Sequence, residues 1–135
     1  MPVVCVDALV VNEKGEYLLV KRKNQPLKDK FWMVGGRLLK DEKTQEGILR
    51  KLKQEIGIAP KTLKFLGHFE EFFSETEQKI QGNFHSISFV FMAFISSNAD
   101  IVLDSQSSDY KWVKVLPNYF EEYLPWLNLQ KEFVL

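Results

Sequence analysis

Residues 3–11, Val-Val-Cys-Val-Asp-Ala-Leu-Val-Val, constrain the fold of this chain most. The run is β-branched and almost wholly apolar, so it has no polar face to turn to water. Such a strand suits the middle of a sheet that is covered on both sides. With 135 residues, 45% hydrophobic and 27% charged, the composition is that of a globular chain, and the length predicts a single domain over residues 1–135. A disordered tail and a low-complexity chain are excluded. The apolar runs Val3–Val6 and Ala8–Val11 fall far short of the ~20 residues of a membrane span. Met-Pro-Val-Val at the start carries neither a basic segment nor a cleavage site, so a cytoplasmic location is expected. Cys5 is the only cysteine, which excludes a disulfide framework and a cysteine-based zinc site within one chain.

Further elements follow from the pattern. Asn12-Glu13-Lys14-Gly15 reads as a turn, and Glu16–Arg22 as the returning strand of a hairpin. Lys23–Lys30 is a polar loop. Phe31–Val34 reads as a short strand ending at Gly35-Gly36. Lys43–Ile56 is a helix with an apolar stripe of Ile48, Leu49, Leu52 and Ile56, stopped by Gly57. Leu63–Phe73, His85–Ser96 and Tyr110–Val113 read as strands. Asn118–Phe133 is helical, interrupted at Pro125. Mixed strands with two helices predict an α+β sandwich.

The 18 basic and 18 acidic residues cancel. No net field then recruits nucleic acid or an anionic membrane, and neither partner is expected. Among 15 Lys, the chain has only Arg22, Arg37 and Arg50. Where lysine is the default cation, these arginines suggest a need for planar donor forks, as in carboxylate or phosphate recognition.

The segment Gly36-Arg37-Leu38-Leu39-Lys40-Asp41-Glu42 is followed by Arg50-Lys51-Leu52-Lys53-Gln54-Glu55-Ile56-Gly57-Ile58. It resembles the Nudix box: Gly, five residues, Glu, seven residues, then Arg-Glu-apolar-any-Glu-Glu-any-Gly-apolar. Gly36, Glu42, Arg50, Leu52, Glu55, Gly57 and Ile58 match. Lys51 and Gln54 stand where the box has Glu. In the usual box positions 51, 54 and 55 present three carboxylates on one helix face, which hold hard cations through oxygen. Here the formal charge of that face is zero. The face therefore reads either as a solvated polar surface or as a site for one Mg²⁺ held with help from a substrate diphosphate. The resemblance implies a Nudix-type α/β/α sandwich with a mixed sheet.

Further stretches resemble a branch of that superfamily, the GDP-mannose mannosyl hydrolases. They are Gly15–Arg22, Lys23–Pro26, Phe31–Arg37, Lys40–Glu42, Gly67–Phe69 and Asp109–Trp112. The branch lacks the same two box carboxylates. The resemblance implies Mg²⁺-dependent hydrolysis of a nucleoside-diphosphate sugar by water attack at sugar C1. Cleavage within the diphosphate, or a catalytically impaired nucleotide-sugar-binding module, are the alternatives. It assigns one Mg²⁺ (or Mn²⁺) to the Gly36 carbonyl, Glu55 and Gln106. It assigns diphosphate contacts to Arg22 and Arg37, and site positions to Asp7, His68 and Phe89. It also allows a homodimer. Asp7 in an apolar strand contacts the sugar or Arg22, or else faces solvent on the strand's outer side. His68 is equally a structural residue. Ser107 replaces the histidine that serves the branch as general base, and a serine cannot take a proton alone. Glu70, Glu71, His85 and Asp109 are the substitutes available to the chain.

Overall fold

The computed structural model describes residues 2–23, 28–73 and 84–127. Its strands are β1 (Val3–Val11), β2 (Tyr17–Arg22), β3 (Phe31–Trp32), β4 (Val34–Arg37), β5 (Thr62–Phe73), β6 (Phe84–Phe94) and β7 (Ser107–Val113). The helices are α1 (Thr44–Ile56) and the short α2 (Phe120–Tyr123). The strands form one seven-stranded mixed sheet.

As its composition requires, β1 is central. One edge pairs in parallel with β6 along its whole length, from Val3 beside Ser86 to Val11 beside Phe94. The other edge is shared: Cys5–Ala8 pair with Arg37–Val34 of β4, and Val10–Val11 with Leu18 and Tyr17 of β2. Beyond these lie β3 and β7 against β2, and β5 against β6.

Successive β1 side chains enter opposite layers. Val6, Ala8 and Val10 pack with Ile48, Leu52 and Ile56 of α1. Leu9 and Val11 pack with Trp32, Met33, Leu116 and Phe120. Helix and C-terminal segment thus cover opposite faces of the sheet, giving the α/β/α sandwich. Gly57 ends α1 at φ 73°, a left-handed position that costs glycine little.

Three expectations are corrected. Leu49 is exposed and does not join the α1 stripe, because it lies about 100° round the helix from Ile48. The strand expected over Phe31–Val34 splits at Met33: Trp32 pairs with β2, but Val34 pairs with β1, and Gly35-Gly36 continue β4. The C-terminal helix is only four residues long before Leu124. Proline restricts the residue before it, which turns Leu124 out of the helix. Residues 128–133 of that expected helix, and 24–27 of the polar loop, lie outside the described residues.

Candidate active site

The site forms where β1 passes from β4 to β2, beside a cavity of about 470 Å³. Register decides what faces it. Cys5, Asp7, Ser86, Ser88 and Glu71 share one sheet face, since Cys5 pairs with Ser88, Asp7 with Val90 and Glu71 with Ser86. The same face farther along is the apolar layer of Leu9, Val90 and Met92. The end of that layer nearest the cavity is therefore polar.

Asp7 lines the cavity and is 8% exposed, which settles its orientation inward. Ser88 donates its hydroxyl to Asp7 Oδ2. Burial pushes the Asp7 carboxyl up to about 6, while the Ser88 hydrogen bond, Arg22 and Lys51 oppose the rise. Burial, reinforced by the negative charge of Asp7 and opposed by Arg22, lifts Glu71 to about 8. Cys5 is raised to about 12 by burial and by the fields of Asp7 and Glu71, so its thiol stays protonated and unreactive.

The box builds the opposite wall. Arg50 donates Nε to Glu42 Oε2 at 2.8 Å and Nη2 to Glu42 Oε1 at 3.0 Å. The same Nη2 donates to the Arg37 carbonyl at 3.0 Å, and Nη1 to Gln54 Oε1 at 3.3 Å. Glu42 Oε1 also accepts the Leu39 amide at 3.0 Å. One guanidinium therefore ties the loop to the helix, as a planar fork can and an ammonium cannot. Arg37 itself is exposed at the cavity wall. Arg22, at the end of β2, pairs across to Ser107, which is buried at the start of β7. Gln106 is exposed on the same cavity wall, its backbone N–H donating to Asp104 Oδ1 at 3.0 Å.

Glu55 is 5% exposed and points inward from α1. Lys51 Nζ stands 3.0 Å from Glu55 Oε2, which has no other hydrogen-bond partner among the described residues. Burial raises Glu55 to about 7, against the pull of Lys51. The lysine stem rests on Gly36: a Cβ there would lie 2.7 Å from Lys51 Cε and 3.0 Å from Nζ, so any larger residue would push the ammonium from this position. These residues do not fit a resident divalent ion. Glu55 is the single box carboxylate on this helix face, and its buried oxygen already faces an ammonium. Among the described residues no three Asp, Glu, His or Cys side chains group to hold a metal.

Seven of the residues singled out from sequence thus meet at one cavity: Asp7, Arg22, Gly36, Arg37, Arg50, Glu55 and Gln106. His68 and Phe89 do not line it. His68 is exposed in a separate shallow groove beside Trp126, whose indole donates to the His68 carbonyl at 3.0 Å. Phe89 packs against the α1-side core and near Phe65. Of Glu70, Glu71, His85 and Asp109, Glu71 alone lines the cavity. Glu70 lies on the groove side, His85 stacks on Phe72, and Asp109 is exposed, its carboxylate accepting the Tyr110 amide. Strand alternation carries the missed signal: Glu71 has the parity of Phe69, a core residue, whereas Glu70 has that of exposed His68 and Phe72.

The NUDIX domain model matches residues 1–126. The ADP-ribose pyrophosphatase of Methanocaldococcus jannaschii is 28% identical over 134 residues, covering 94% of this chain and 76% of that protein. The low-salt glycan biosynthesis protein Agl8 of Haloferax volcanii is 27% identical over 132 residues, covering 95% and 83%. The crystal structure of a MutT protein from Methanosarcina mazei superposes with a TM-score of 0.76 at 28% identity, over 97% of this chain and 96% of that one. The NUDIX domain of Shewanella oneidensis NrtR, solved with ADP ribose, shares the fold at TM-score 0.73 and 22% identity, over 100% and 90%. The family match spans both sheet faces as well as the loop and helix that wall the cavity, and on that extent the chain belongs to the NUDIX domain family.

Proposed function

We propose that the chain hydrolyses a nucleoside-diphosphate sugar of the GDP-mannose type, by water attack at the sugar's anomeric carbon, releasing nucleoside diphosphate and free sugar. The observation that carries this reading is that one cavity brings together cations and buried carboxyls. Arg22, Arg37 and Lys51 are cations suited to a diphosphate, and Asp7 and Glu71, within reach of the Arg22 charge, are carboxyls suited to a sugar and its attacking water. Family membership and the pyrophosphatase named among the relatives support a nucleoside diphosphate derivative as the substrate class. The relative named for glycan biosynthesis supports a sugar on the other side.

In this mechanism Glu71 takes a proton from water as the water oxygen bonds to C1. The C1–O bond breaks with inversion, and its electron pair leaves on the diphosphate, where the arginines offset the growing charge. Asp7, ionised above about pH 6, orients a sugar hydroxyl. Nudix hydrolases in general use divalent metal ions such as Mg²⁺. In our reading Mg²⁺ or Mn²⁺ reaches this site only as the ion a diphosphate carries in with it.

Product analysis on a panel including GDP-mannose and ADP-ribose tests the proposal. We expect GDP and mannose, with the inverted anomer first in the proton NMR spectrum. GMP and mannose 1-phosphate would mean attack at phosphorus and would replace this reading with the second, a pyrophosphohydrolase, which the methanocaldococcal relative favours.

A further inference from the structure

We propose that Lys51 is the resident cation of this site, and that its ammonium binds the substrate diphosphate in the place where a carboxylate-rich box would hold a metal ion. The inference rests on the nucleoside-diphosphate reading above and goes beyond it.

Three observations converge. The spacing from Lys51 to Glu55 is one helical turn, and the ammonium lies 3.0 Å from the carboxylate, with both side chains mostly buried at 16% and 7% exposure. The lysine stem is laid along Gly36, the residue whose carbonyl the box resemblance would give to a metal, with Nζ only 3.0 Å from where a Cβ would be. Finally, Lys51, Arg22, Arg37 and Gln106 all line the same cavity.

Charge accounting agrees. A box face with three carboxylates carries −3 and needs divalent ions before an anionic substrate can approach. Lys51, Gln54 and Glu55 sum to zero, so this face needs none. An ammonium has three N–H donors. One is directed to Glu55, and two remain for phosphate oxygens, for which lysine acts as a compact point charge. Glu55 in this arrangement is a positioning residue: it holds Nζ at the cavity wall.

Calorimetric titration with GDP and with ADP tests the proposal on the full chain, in excess EDTA and in Mg²⁺. Neither nucleotide contains the sugar bond, so the outcome does not depend on which bond the enzyme cuts. Wild type should bind in EDTA within about 3-fold of its affinity in Mg²⁺. Lys51→Met, which keeps the apolar stem, should weaken binding in EDTA by about 10-fold or more, and Lys51→Arg should recover part of it. In the absence of nucleotide, Mn²⁺ titration followed by electron paramagnetic resonance should show no tight site in wild type and a new one in Lys51→Glu. Binding of nucleotide only in the presence of Mg²⁺, unchanged metal-free affinity in both Lys51→Met and Lys51→Arg, or a tight Mn²⁺ site in the free wild type would each overturn the proposal. The first of these leaves the substrate class standing. Failure of wild type to bind either nucleotide under both conditions would remove both.

Discussion

Glu71, the base of the proposed mechanism, is a carboxyl held protonated at neutral pH by burial beside Asp7, and such a base works only when it loses its proton. With its pKa near 8, about a tenth is ionised at pH 7, so kcat should climb with pH through a midpoint near pH 8. Glu71→Gln should lower kcat by about 10²- to 10⁴-fold, leave KM within a few-fold, and flatten the pH profile. A purely structural role would leave the profile's midpoint in place. The residues around Glu71 show what a sequence can reveal of a site. Arg50 and Glu55 were legible because the box spacing carries them, and Arg22 and Arg37 because arginine is rare in a lysine-rich chain. Asp7 was legible because a carboxylate in an apolar strand needs a reason. Glu71 was left among four candidates, because its inward parity depends on a β-bulge between Phe65 and Gly67 that resets the alternation along β5. His68 stands one position out of phase with that alternation and falls in another groove.

Among the elements, the loop 38–42 and α1 behave as one body because Arg50 joins them. Arg50→Lys keeps the charge but loses the fork that reaches Glu42, Gln54 and the Arg37 carbonyl. Hydrogen exchange at the Leu39 amide, which donates to Glu42, should accelerate at least about 10-fold, while amides in the middle of α1 stay protected. Overall stability should fall modestly, from the loss of hydrogen bonds between partly buried charged groups that water screens. Unchanged exchange at Leu39 would show that the loop holds itself. The fold was largely readable at this scale. An uninterrupted apolar run marked the central strand, helical spacing marked α1, and Gly57 marked its end. The break at Met33 was not readable, since the chain there leaves β2 and joins β1. That exchange of partners is tertiary and has no local pattern. The stop of α2 before Pro125 was readable from the proline, but its start at Phe120 rather than Asn118 was not.

For the whole molecule, three buried carboxyls set the response to pH. Burial raises Asp7, Glu55 and Glu71 to about 6, 7 and 8 from ordinary values of 3.8, 4.5 and 4.5. Between about pH 4 and 8 the folded state therefore binds more protons than the unfolded chain. Stability then falls as pH rises through that window. The stabilising contribution is complete below the unfolded values and is lost as each group ionises in place. Glu13 and Glu42 are shifted down and act in the opposite sense, but only in more acid solution. Thermal unfolding should show Tm dropping by several degrees from pH 5 to pH 8.5. Glu71→Gln should remove part of that slope and be the more stable protein at the alkaline end. A Tm that rises over this interval would mean these carboxyls are solvated in the folded protein.

The parallel pairing of β1 with β6 has a consequence for how the protein is made. A ribosome delivers Val3–Val11 first and their parallel neighbours Ser86–Phe94 last among the central strands. At roughly 5–20 residues per second the first strand waits on the order of 4–16 s for that neighbour. Until then one edge of a nine-residue, nearly all-apolar strand is open to any other chain with an unpaired edge. The cavity also depends on late residues, since Ser86, Gln106 and Ser107 complete its lining. Substrate therefore cannot rescue a chain that is only partly synthesised, and slower initiation or lower temperature should raise the yield of folded protein more than added nucleotide does.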